Sequence, residues 1–109
     1  KALFLVRYTL YNPTHIIQKT VQFSAELDNS LHEEWHVEAE CEYVQIQSNF
    51  FRTEAGYDVL TISDESVAKQ FSGTKQINEV MHGNFSIVFT SDWSVNDRGF
   101  ILLWRCKSV

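Results

Sequence analysis

From Trp35 to Glu42 the chain alternates without a fault, with Trp35, Val37, Ala39 and Cys41 on one side and His36, Glu38, Glu40 and Glu42 on the other. Period two is the signature of a half-buried β-strand. After Tyr43 the apolar positions change parity to Val44 and Ile46. A turn is therefore expected near Glu40–Glu42, with a second strand over Tyr43–Phe51 as an antiparallel neighbour of the first. Runs of the same type recur at Ala2–Tyr11, Thr20–Ser24, Tyr57–Ser63, Phe85–Thr90 and Phe100–Cys106. Turn-forming clusters separate them, among them Asn12-Pro13, Asp28-Asn29-Ser30, Glu54-Ala55-Gly56, Ser72-Gly73, His82-Gly83-Asn84 and Asn96-Asp97-Arg98-Gly99. Only Ser63–Gln70, acid-rich at its start, has helix-compatible content, and it is too short to found an architecture. The pattern predicts one all-β domain over residues 1–109, a two-sheet antiparallel β-sandwich of eight or more short strands. Phe4, Phe23, Trp35, Phe50, Phe89, Phe100 and Trp104 are expected in its core.

The composition agrees with a packed core. Of 109 residues, 44% are hydrophobic and 14% aromatic, with one Pro and four Gly, which excludes disordered and low-complexity classes. A net charge of −5 has the wrong sign for gripping a phosphate backbone, so no nucleic-acid partner is expected. The apolar stretch Ala2–Val6 is broken by Arg7, shorter than a signal core or a membrane span, so no membrane insertion is expected. The chain begins at Lys1 and is read as a processed or excised piece of a longer protein.

Few residues offer chemistry. Cys41 and Cys106 form neither a CxxC nor a Cys/His metal pattern, leaving one bridge or two buried thiols as the alternatives. His15, His32, His36 and His82 are scattered and suggest no zinc site. There is no nucleophile elbow, no glycine-rich phosphate loop and no carboxylate dyad in a recognisable apolar pocket, so catalysis is not expected. Asn84-Phe85-Ser86 is an N-glycosylation acceptor, whereas Asn12-Pro13-Thr14 is excluded by its proline.

Phe51-Arg-Thr-Glu-Ala-Gly-Tyr-Asp-Val-Leu-Thr-Ile62 resembles the central strand-and-loop segment of CUB domains, where an acid precedes a Tyr-Asp pair that opens a strand. Phe71-Ser72-Gly73 is similar to the family's Phe-Cys-Gly turn. Gly83-Asn84-Phe-Ser-Ile-Val-Phe-Thr-Ser-Asp92-Trp-Ser94, followed by Gly99-Phe100, resembles its closing pair of strands. The likeness runs from about Trp35 to Cys106, and residues 1–34 align poorly. It implies a jelly-roll-like sandwich of secreted and cell-surface proteins, used to bind a protein or glycan. Two departures stand out: Ala55 and Ser72 occupy the positions of one family disulfide, and the front-end disulfide is missing. A different bridge, between Cys41 and Cys106, remains open.

The resemblance also implies a calcium site at one end of the sandwich, with Glu54, Asp58 and Asp92 as carboxylate ligands and Ser94 and Asn96 completing the shell. Gathering these acids on an already acidic protein would be repulsive without the cation. Glu54, Asp58, Asp92 and the neighbouring Trp93 would then form the partner-binding surface. Taken as residues alone, Asp58 and Asp92 read instead as Asx-turn acceptors, and Glu54 as a solvated side chain. A rival reading is a self-assembling coat or matrix subunit, a homo-oligomer joined through edge strands or the first third of the chain.

Overall fold

A computed structural model describes residues 3–12, 15–24, 31–39, 41–91 and 99–107. The described residues form nine strands: β1 (Leu3–Asn12), β2 (His15–Ser24), β3 (Leu31–Val37), β4 (Tyr43–Arg52), β5 (Val59–Ser63), β6 (Ala68–Phe71), β7 (Asn78–His82), β8 (Phe85–Ser91) and β9 (Gly99–Cys106). They build a five-stranded sheet in the order β2-β1-β9-β4-β7 and a four-stranded sheet in the order β3-β8-β5-β6. The molecule is an all-β sandwich, as the alternation predicts. Every connection except β1–β2 and β5–β6 crosses from one sheet to the other, the interleaving of a jelly-roll-like sandwich. All neighbours run antiparallel except β1 and β9, which pair parallel over Tyr8–Tyr11 and Phe100–Leu103.

The core forms where the inner faces meet. β8 alternates perfectly, burying Phe85, Ile87, Phe89 and Ser91. From β4 and β9 come Val44, Ile46, Phe51, Phe100, Leu102 and Trp104. Phe100 packs on Phe51 with ring centroids 5.7 Å apart and on Phe89 at 4.9 Å, and Trp104 meets Phe85 edge-on at 5.9 Å. Edge-to-face rings at these separations add about 0.5–1.5 kcal/mol beyond their burial. Trp35 and Val37 are half-buried against the same cluster.

Four expectations are corrected. The strand expected over Trp35–Glu42 starts earlier and stops at Val37, and it is not a neighbour of Tyr43–Phe51: β3 and β4 belong to different sheets. The alternation on both sides of residues 38–42 is real, but the connection between the strands changes layer instead of folding back. Phe50 is not a core residue. A β-bulge between Ser48 and Phe50 adds Asn49 to β4, so parity flips, Phe51 turns inward and Phe50 outward opposite Ile101. The helix-compatible stretch ends in a strand, β6, and β7 was not expected at all. Both are edge strands, whose exposed positions blur the alternation. Phe4 and Phe23 carry no described side chains.

Strand ends define two poles. At one lie the end of β4, the starts of β9 and β5 and the end of β8, fixed by the pairs Arg52↔Gly99 and Val59↔Thr90. The β1–β2 hairpin pairs through all ten residues of each strand but meets β9 only from Tyr8 onward, so it overhangs this pole. At the other pole the disulfide Cys41–Cys106 joins the approach to β4 to the end of β9, with Cα atoms 5.9 Å apart. The two alternatives for the cysteines thus resolve as one bridge. Asp64 ties the sheets together there, its Oδ1 accepting from the Ser66 and Val67 amides at 2.8 and 2.9 Å and its Oδ2 from the His82 amide at 2.8 Å.

Candidate functional site

The segment Thr53–Asp58 leaves β4, turns once and enters β5. Its chain reversal is carried by the Glu54 carbonyl, which accepts from the Tyr57 and Asp58 amides at 3.2 and 3.0 Å. Gly56 sits in the turn at φ +83°, a backbone region that side chains other than glycine seldom adopt. Asp58 is 1% exposed, and its Oδ2 accepts from the Glu54 amide at 3.0 Å. The two acids predicted as ligands are therefore held together by the turn itself. Asp58 accepts a backbone N–H, as the residues alone suggest, from Glu54 four positions earlier in the chain. Glu54 is half-buried, with its Oε1 enclosed, as is Asp58 Oδ1.

A second turn locks the first. Ser72 Oγ accepts from the Gly56 amide at 2.8 Å and donates to the Asp58 carbonyl at 2.7 Å. Thr53 Oγ1 donates to the same carbonyl at 3.2 Å and accepts from the Gly73 amide at 3.0 Å, while the Thr53 amide donates to the Gly73 carbonyl at 2.9 Å. A Cβ placed on Gly73, at φ +81°, would sit 3.4 Å from the Ala55 Cβ. Ala55 therefore packs close against Gly73, the residue after Ser72. The Ser72 hydroxyl thus bonds across the two turns.

Ser91 ends β8 at this pole, one register step beyond the Val59↔Thr90 pair and so level with Asp58. It is 2% exposed, and its hydroxyl has no hydrogen-bond partner among the described residues. The other predicted ligands and contacts, Asp92, Trp93, Ser94 and Asn96, lie outside the described residues. Among the described residues no three His, Cys, Asp or Glu side chains gather into a metal-binding group. Sequence reasoning missed two residues here. Tyr57, 65% exposed on the rigid turn, is a large aromatic surface beside Asp58 that was treated only as part of a motif. Ser72 was noted for the cysteine it lacks, and its bonds depend on a pairing of turns that no local pattern reports.

Asn84, His36 and His82 lie at the opposite pole. Asn84 is exposed, with Oδ1 accepting from the Ala39 amide at 2.9 Å, and its sequon partner Ser86 bonds His36 Nδ1 through Oγ at 2.8 Å. Both border an open groove of about 380 Å³ that His36, Glu38, Asp64 and Glu65 also line. Backbone donors from His82, Ser66 and Val67 hold the Asp64 carboxyl below its ordinary range. His82 approaches Glu42 there, while His32, at the start of β3 and level with Thr90 at the Glu54–Asp58 pole, approaches Glu34, each at 3.6 Å. No family model, curated protein or solved structure matches this chain.

Proposed function

We propose that the chain is a non-catalytic, CUB-like extracellular recognition module whose Glu54–Asp58 pole is organised by calcium and binds a protein or glycan partner. The observation that carries this reading is the burial of Glu54 Oε1 and Asp58 Oδ1 in one turn, level with the buried Ser91 hydroxyl. Hard calcium takes six to eight oxygens from side chains and carbonyls of separate loops, and Glu54, Asp58 and Ser91 present oxygen donors here. Asp92, Ser94 and Asn96 follow Ser91 directly in the chain and would supply the rest. Carboxylates around the ion would also accept a lysine ammonium from a partner, and Tyr57 and Trp93 would add aromatic contact.

The disulfide supports an oxidising, extracellular setting, in which Asn84, remote from the recognition pole, would carry a glycan. Thermal unfolding with calcium and then with excess chelator tests the reading. A cation bound to the native state at ten times its Kd stabilises by about 1.4 kcal/mol. The melting midpoint is expected to rise by several degrees and to fall back with chelator. A midpoint indifferent to both removes calcium from the account.

A further inference from the structure

The bulge that turns Phe50 outward gives the five-stranded sheet an unusual outer face. Phe50 lies opposite Ile101, which pairs in turn with Thr9, and the next row sets Tyr11, Leu103 and Gln47 side by side. Phe50, Ile101, Leu103 and Tyr11 are all half-buried on the side where an antiparallel sheet facing water ordinarily carries polar residues. No described outward position on β1, β4, β7 or β9 holds an acid, although the chain has fourteen and a net charge of −5. The exposed Arg105 closes the disulfide end of this block, outside any ion pair among the described residues.

The opposite face of the sandwich has the complementary character. Its middle strands present short side chains in level rows, Val59 beside Thr90 and Thr61 beside Val88. Along its β3 edge Glu34 is exposed opposite Val88, and Glu38 follows just beyond the strand. We infer that copies of this chain stack face to back, the Phe50–Ile101–Leu103 block of one against the β5–β8 face of the next, with Arg105 meeting Glu34 or Glu38. Pairing like faces would instead set arginine-bearing surfaces together with no acid between them.

The four strands of the β5–β8 sheet, 4 to 7 residues long and about 4.8 Å apart, limit the contact to on the order of 400 Å² per copy, roughly 800 Å² in total, the size of a weak contact that forms only as concentration rises. Because the two surfaces differ, the contact is heterologous and does not close at two copies. The stack would leave the Glu54–Asp58 pole of every copy along its flank, so a weak site would be displayed repeatedly. Stacking itself does not rest on the calcium reading.

Sedimentation velocity of the whole chain over a concentration series at low salt tests the inference, using wild type, Arg105→Glu, Glu34→Lys/Glu38→Lys and all three changes combined. The expected result is a sedimentation coefficient that rises past the dimer value with concentration and falls with added salt. Arg105→Glu and the double lysine variant should each weaken association at least tenfold, and the combined reversal should restore it. All three positions are exposed, and matching melting curves would show that the variants fold. A monomer throughout the series overturns the inference, as does a dimer that saturates at two copies and ignores the Glu34 and Glu38 changes.

Discussion

Replacing Ser72 with Ala removes one hydroxyl and with it the link between two turns. The lost bonds are the 2.8 Å acceptance from the Gly56 amide and the 2.7 Å donation to the Asp58 carbonyl, with a longer 3.3 Å approach to the Glu54 carbonyl that shares the same hydroxyl hydrogen. Neither group is wholly stranded: Gly56 is exposed and regains water, and the Asp58 carbonyl keeps Thr53 Oγ1 at 3.2 Å. The net loss is therefore that of two ordinary hydrogen bonds, about 1–2 kcal/mol, without the larger penalty of a buried orphan. Unfolding entropy near 2.1 cal/mol/K per residue gives about 0.23 kcal/mol/K for a domain of this size. The midpoint should fall by about 4–9 °C, read by calorimetry or far-ultraviolet dichroism. Hydrogen exchange adds a local readout: the amides of Gly56, Tyr57 and Asp58 should lose protection while those in β8 keep theirs. A variant melting within about one degree of wild type, with its turn amides still protected, would refute the lock.

Three further outcomes follow from the same geometry. Phe51→Ala should cost about 3–5 kcal/mol by opening a cavity in the core, whereas Phe50→Ala, on the outer face, should cost less than about 1 kcal/mol; denaturant unfolding of the two separates them, and equal costs would contradict the bulge. Cys41→Ser/Cys106→Ser opens a loop with a sequence separation of 65, which the chain-entropy account converts to about 4 kcal/mol, measurable as a lower denaturant midpoint. The Asp64 carboxyl is depressed in the folded state, so its contribution is present above its unfolded value near 3.8 and is lost as pH falls through the lower folded value. Asp64→Asn should flatten that acid limb of the stability–pH curve, and an unchanged acid limb would show that the carboxylate's backbone bonds do not matter there.

Some of this was legible in the sequence and some was not, for reasons that lie in particular residues. Phe85, Ile87 and Phe89 announce a central strand, because a strand buried on one face must repeat every two positions. In β6, Lys69 and Gln70 serve an exposed edge, and Lys69 reaches across to Glu79 of β7 at 2.9 Å, so neither strand shows a clean period. Phe50 and Phe51 are adjacent, and alternation from Val44 favours Phe50. Only the extra residue at Asn49 shifts the choice, and a bulge leaves no local mark in this stretch. Glu54 and Asp58 were legible as a pair only through the motif that surrounds Tyr57-Asp58, because nothing in their spacing by itself shows that the Glu54 amide bonds the Asp58 carboxylate. The bond from Ser72 was not, since it joins segments that meet only after both sheets have formed.

The central claim is that the Glu54–Asp58 pole is built around a hard cation. Calorimetric titration of calcium into the wild-type chain and into Asp58→Asn measures it most directly, because asparagine can still accept from the Glu54 amide and so keeps the turn. Binding to one site in the wild type, absent or at least tenfold weaker in the variant, is the predicted result. No calcium binding by the folded wild-type chain, or equal binding by both proteins, would contradict it.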